Sequence, residues 1–96
     1  MRWRVEIPGR VAKSIRKLPS DAADAVEALV AVLEAAGPER REWPHYGKIA
    51  GHKHCHHCHI QRGRPTYVAV WREVSPQEIE VTYVGTHEGA VYNRLC

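Results

Sequence analysis

The stretch "TYVAVW", residues 66–71, constrains this chain most. β-Branched, small and aromatic residues follow one another almost without a polar break, so the strand they form must be buried on both faces. Such a strand needs partners alongside and a covering layer, and the flanking sequence supplies them. On one side "SPQ" (75–77) marks a turn, after which Ile79, Val81 and Tyr83 alternate with Glu80, Thr82 and Val84 at strand period. On the other, Arg62-Gly63-Arg64 reads as a hairpin turn, and "HKHCHHCHI" (52–60), bounded by Gly51 and that turn, reads as the preceding strand.

The covering layer comes from the N-terminal half. Trp3, Val5 and Ile7 alternate with Arg2, Arg4 and Glu6 in a half-buried strand that Pro8-Gly9 stops. The period then changes: Val11, Ile15 and Leu18 recur at helical spacing, with Arg10, Lys13 and Lys17 on another face. Pro19 interrupts, and Ser20 is placed to cap a second helix whose positive end Asp21 and Asp24 favour. Ala22, Val26, Leu29, Val30 and Leu33 form its apolar stripe, and Gly37-Pro38 ends it. Residues 39–51 read as a connecting loop. The expected order is β-α-α-β-β-β, an α+β domain with a helical hairpin packed on a small antiparallel sheet, spanning residues 1–96 as one unit. A chain of this length removes roughly 60–65% of its unfolded surface from water, an adequate core.

No apolar run approaches the roughly 18–20 residues needed to cross a bilayer. The opening "MRWRVEIPG" has no apolar signal-peptide segment, so a cytoplasmic protein without membrane partners is expected. The formal charge is +3, and its placement matters more than its sum. From Lys48 to Arg72 there is no Asp or Glu, only Lys, Arg and His among charge-bearing types. Lys48, Lys53, Arg62, Arg64 and Arg72 can neutralise phosphates from adjacent strands, while nearby Tyr and His offer stacking faces for bases.

The stretch from His54 to His59 holds four imidazoles and two thiols, which raises a metal reading. On a strand, however, Cys55 and Cys58 point to opposite faces and cannot grip one ion. No metal ligands are assigned, and a His-rich metal-binding module stays an alternative. Three cysteines, with Cys96 at a frayed end, imply no disulfide framework and suit reduced thiols. In "GTHEGAVY" (85–92) Gly85 breaks the strand period, after which His87, Glu88 and Tyr92 bring three proton-active groups together. His87 can act as general base or acid, with Glu88 orienting it; the plainer alternative is a solvated strand end.

"VEIPGRVAKSIRKLP", "GPERREWPHYGKI", "GRPTYVAVW" and "YVGTHEGAVY", in that order, resemble the RelE/ParE toxin superfamily of type II toxin–antitoxin pairs, most of all its HigB/RelE-type branch. The resemblance implies a compact, microbial-ribonuclease-like fold and an mRNA endoribonuclease that represses translation on the 70S ribosome. In such enzymes the ribose 2′-OH attacks the adjacent phosphorus without a metal or other cofactor. It also implies a cognate antitoxin as partner, in a toxin–antitoxin hetero-oligomer. Carried onto this chain, His87 and Tyr92 match the C-terminal catalytic positions, with Glu88 and Lys53 as further catalytic candidates. Lys48, His54, Arg62, Arg64 and Arg72 are the RNA- and phosphate-binding candidates. The chain departs from many relatives in carrying Thr66 and Tyr67 where they have arginine. His54, His57 or His59 stand where they have other basic residues. The alternative within the superfamily is a ParE-like gyrase inhibitor without nuclease activity.

Overall fold

The computed structural model describes residues 2–96. The elements are β1 (Arg4–Glu6), α1 (Gly9–Arg16), α2 (Ser20–Ala36), β2 (Gly47–Ile49), β3 (His52–Gln61), β4 (Tyr67–Ser75), β5 (Glu78–Thr86) and α3 (Tyr92–Leu95). The sheet runs β1-β5-β4-β3-β2. The expected α+β class and helical hairpin hold, with two differences in detail. β1 pairs parallel with β5, so the sheet is mixed. The helical hairpin causes this, because it carries the chain back over the sheet before the meander begins. The 39–51 loop also contains a short edge strand, β2, antiparallel to β3.

β4 sits centrally, and Val68, Ala69, Val70 and Trp71 are all fully buried, as the apolar run requires. One sheet face packs under α1 and α2: Val11, Val26, Leu29 and Leu33 meet Cys58, Ala69, Trp71, Ile79, Val81 and Val84. A register shift opposite Val70 and Trp71 swaps the parity of β5, sending Ile79, Val81 and then Val84 to the helices and Tyr83 to the other face. Strict alternation in the sequence would have put Tyr83 with Ile79 and Val81.

Helix boundaries differ slightly from expectation. Ser20 is already helical; Pro19 occupies the N-cap position and no side chain caps it. Pro fits there because its fixed φ and missing N–H cost nothing at a helix start. Gly37 closes α2 at φ 95°, with Trp3 Nε1 2.9 Å from where a Cβ would stand. Only glycine satisfies both the backbone and the tryptophan.

The thiol expectation is overturned. Cys55 and Cys96 form a disulfide across 41 positions, with Cα atoms 5.6 Å apart. Cys96 therefore does not fray; it is tied to β3. Cys58, on the opposite face, stays a free thiol in the core, pushed up to about 12 by burial and then by Glu42.

Candidate active site

The period of a strand sorts the histidines of β3 onto two faces. His56 turns toward the helices. It is completely buried, stacked on Trp71 with ring centroids 5.8 Å apart, and bridges Tyr46 Oη (2.7 Å from Nδ1) and Glu73 Oε2 (2.8 Å from Nε2). Burial depresses its basicity more than Glu73 raises it. The neutral ring donates from Nε2 to the carboxylate and accepts the Tyr46 hydroxyl at Nδ1. This is a satisfied interior network, and it holds β2 and its preceding loop against the sheet.

His57 and His59 turn the other way and meet the C-terminal segment. His57 lies 5.4 Å from the Tyr92 ring, His59 lies 5.7 Å from His87, and His87 lies 6.5 Å from Tyr92. The segment reaches them because His87 N–H donates to Thr66 O at 2.8 Å, folding the exit of β5 over the β3–β4 turn. A fourth imidazole arrives from the other side. His59 N–H donates to Pro44 O at 2.8 Å, and His45, held at φ 54°, stacks on His59 at 4.2 Å. Arg62 Nη2 donates to His45 Nε2 at 2.9 Å, which places a guanidinium at the rim.

The electrostatics favour neutral rings. Burial lowers His57 and His59, and neighbouring charge lowers them further: His87, His45 and His56 act on His57, and His45, His87, His57 and Arg62 on His59. Tyr92 moves the opposite way, raised by burial and then by Tyr83, so its phenol stays protonated. Nδ1 of His57 is buried without a hydrogen-bond partner. Below the cluster, Tyr83 Oη donates to Thr86 O at 2.8 Å and lies across Gly85, where an added Cβ would come within 2.7 Å of that hydroxyl. Gly85 thus stays within β5, and its missing side chain is what lets Tyr83 form the floor.

The residues singled out from sequence divide into groups. His87 and Tyr92 lie together in the cluster, with the exposed Glu88 carboxylate 4.0 Å from His87 Nδ1. Arg62 joins them, and Arg64 is exposed two residues further along the same turn. Lys53 shares the open face but sits four residues along β3 from His57, roughly 13 Å at strand rise. It lines a separate groove of about 480 Å³ with Arg72 and both bridged cysteines. Arg72 is engaged by Glu80, Nε to Oε1 at 2.9 Å. Lys48 and His54 lie on the helix side of the sheet: Lys48 is 3.7 Å from Glu39, and His54 is 3.8 Å from Glu73. They are not part of the cluster. The basic window therefore does not converge as a whole; it contributes Arg62 and two histidines. His45 and Tyr83 were not anticipated. His45 had no local signal, since only the fold-back of its loop carries it to β3. Among the described residues, no group of three or more His, Cys, Asp and Glu is arranged to hold a metal ion.

This topology occurs in solved structures. An arginine-to-alanine double mutant of E. coli toxin RelE in the free state superposes with a TM-score of 0.73 at 19% identity, covering 97% of this chain and 93% of that one. The chain has the RelE toxin fold. The isolated E. coli RelE toxin gives 0.66 at 22% identity over 96% and 92% of the two chains. The archaeal RelE–RelB complex from Pyrococcus horikoshii OT3 gives 0.67 at 17% identity over 94% and 100%. No protein-family model matches the sequence, and no curated protein matches it. RelE architecture is thus retained while most side chains differ. Among the described residues no helix is long and apolar enough to cross a membrane.

Proposed function

We propose that this chain is the toxin of a type II toxin–antitoxin pair, an endoribonuclease that cuts mRNA on the ribosome by internal attack of the ribose 2′-OH. The observation that carries this reading is the convergence of His57, His59, His87 and Tyr92, with Arg62 beside them, on the open face of a RelE fold. Cleavage of this kind needs a base for the 2′-OH, an acid for the departing 5′-oxygen and donors for the phosphorane.

The cluster offers each. A neutral imidazole is a competent base at pH 7, and His57 and His59 are held in that form. His87, beside Glu88, is the exposed partner able to hand a proton to the leaving oxygen. Tyr92 keeps its proton and donates a hydrogen bond to a phosphoryl oxygen. Arg62 neutralises the phosphate as a permanent cation. Imidazoles take up tasks that a lysine and arginine set would otherwise divide, so activity should fall as the pH drops below 6.5 and His57 and His59 take up protons. Lys53, Arg64 and Arg72 extend the positive path along the face for flanking phosphates.

On the other side of the molecule Ile7, Ile15, Val26 and Val30 line an apolar groove of about 420 Å³ between β1 and the helical hairpin. An antitoxin helix laying its apolar face there would cover the partly exposed Ile7, Ile15 and Val30. A charge at Val30 should weaken that complex without altering RNA cleavage.

Primer-extension mapping of mRNA ends after brief induction tests the central reading. The expected result is new 5′-OH ends in translated regions, with 2′,3′-cyclic phosphate on the upstream fragments. Intact mRNA combined with inhibited DNA supercoiling would replace the nuclease with a gyrase inhibitor.

A further inference from the structure

Resting on the nuclease reading, we propose that the Cys55–Cys96 disulfide is a reducible clamp that holds Tyr92 in the active site, so that a dithiol reductant disarms the enzyme and reoxidation rearms it. The structural part of this inference stands on how little else secures α3. The helix has four residues, no side-chain cap, and an exposed Val91 at its N-terminus. A single turn of this kind does not persist on its own. Besides the disulfide, it meets the sheet through Tyr92 against His57 and near Tyr83, through its approach to β4, and through a 3.3 Å hydrogen bond from Arg72 Nη1 to Cys96 O. Tyr92 opens this helix and Cys96 follows it, so the covalent bond at one end fixes the phenol at the other.

The surroundings are arranged for thiol–disulfide exchange. The groove lined by Lys53, Cys55, Arg72 and Cys96 gives a reductant access to the bond. Cys96 is its more exposed member, whereas Cys55 is 2% exposed. A thiolate of the reductant attacks Cys96 Sγ, the S–S bond breaks, and the electron pair leaves on Cys55 Sγ. Arg72, paired with Glu80, is the register partner of Cys55 on β4, and Lys53 lies on the same face two residues away, so the leaving thiolate departs beside Lys53 and the Arg72–Glu80 pair. The second thiol of the reductant then attacks the mixed disulfide and releases Cys96. Two electrons and two protons pass to the protein, and the dithiol becomes a disulfide. Cys58 cannot intervene: it points into the core from the other face of β3, and it stays protonated. A disulfide at a functional site of an otherwise framework-free chain fits a regulatory bond better than a staple.

The experiment uses the full chain, equilibrated across dithiothreitol ratios from fully reduced to fully oxidised, with three readouts. Alkylation and mass measurement should show two thiols appearing together while Cys58 stays silent. Tryptic cleavage after Arg94, inside α3, should accelerate at least about 10-fold on reduction, as expected for a segment that opens locally. RNA cleavage should fall by about 10²-fold, the size of a lost transition-state donor, and return on reoxidation. Cys96→Ser should behave as the reduced protein at every ratio, and reversibility in the unmodified chain carries the test if that variant folds poorly. Unchanged Arg94 protection in the reduced protein overturns the clamp. If the oxidised protein cuts no RNA, the nuclease reading fails by itself, and Arg94 protection still decides whether the disulfide holds α3.

Discussion

Two adjacent histidines on β3 should have opposite phenotypes, and the difference follows from which way each ring points. Take His56→Ala and His57→Ala. The His56 ring is fully enclosed, stacked on Trp71, and hydrogen-bonded at both nitrogens to Tyr46 and Glu73. Emptying its site costs about 2–5 kcal/mol as a large-to-small core change. Stranding the Tyr46 hydroxyl and the Glu73 carboxylate adds about 1–3 kcal/mol. Glu73 is a quarter exposed and recovers some hydration, so the lower end applies to that second contribution. The total, about 3–6 kcal/mol, is a large share of the roughly 5–14 kcal/mol available to a chain of this size. It corresponds to a fall in Tm of about 12 °C or more at roughly 4–8 °C per kcal/mol. His57 differs: its ring is partly exposed and Nδ1 lacks a partner, so truncation relieves an unsatisfied atom while losing some packing. Its stability should change by less than about 1.5 kcal/mol, while RNA cleavage falls by about 10²–10⁴ as for loss of a proton-transfer group. Urea unfolding followed by circular dichroism, beside a cleavage assay on the same preparations, separates the two. The assignment of faces is refuted if His56→Ala stays within about 1 kcal/mol of the parent, or if His57→Ala is the more destabilised variant.

Stability should decline on mild acidification. Folding holds His56, His57 and His59 below their ordinary value of 6.5, so the unfolded chain binds more protons as the pH drops. Their contribution is complete above that value and is lost as the pH falls through 6.5 toward the depressed folded values; urea midpoints measured from pH 7.5 to 5 should show the loss, and His56→Leu should flatten it. Gly85→Ala should cost about 1–3 kcal/mol by overpacking, because its Cβ would press on the Tyr83 ring and break the hydroxyl's bond to Thr86 O; thermal melts check it. Tyr92→Phe should retain the parent's melting temperature within a few degrees while cleavage falls by about 10²-fold, as for one lost phosphoryl donor. Arg62→Ala should weaken RNA binding and lower its salt dependence by about one phosphate contact, measured by titration at several ionic strengths.

Much of the architecture was legible because it is written in local period. The alternation of Trp3, Val5 and Ile7, the helical spacing of Val26, Leu29, Val30 and Leu33, and the unbroken run at 66–71 each name an element without reference to the others. Gly37 and the turns at 62–64 and 75–77 mark where those elements stop, for reasons confined to a few residues of backbone. Resemblance across the whole chain supplied the rest of the outline and singled out His87 and Tyr92, which the fold brings within 6.5 Å of each other.

What the period of β3 could not disclose was its partners. It separates His56 from His57 but not which of them faces the helices; that was decided when β4 paired with β3 and set Trp71 under the hairpin. The parallel pairing of β1, the parity change in β5 that frees Tyr83, the arrival of His45 from a loop, and the bond between Cys55 and Cys96 are all relations between distant segments. Sequence order carries almost no information about such relations, because they come into being only when the sheet assembles and brings separated atoms within a few ångströms. The sequence by itself determined the parts and their order. Tertiary structure alone decided which histidines gather on the open face of the sheet, because side-chain chemistry depends on neighbours and folding chooses them.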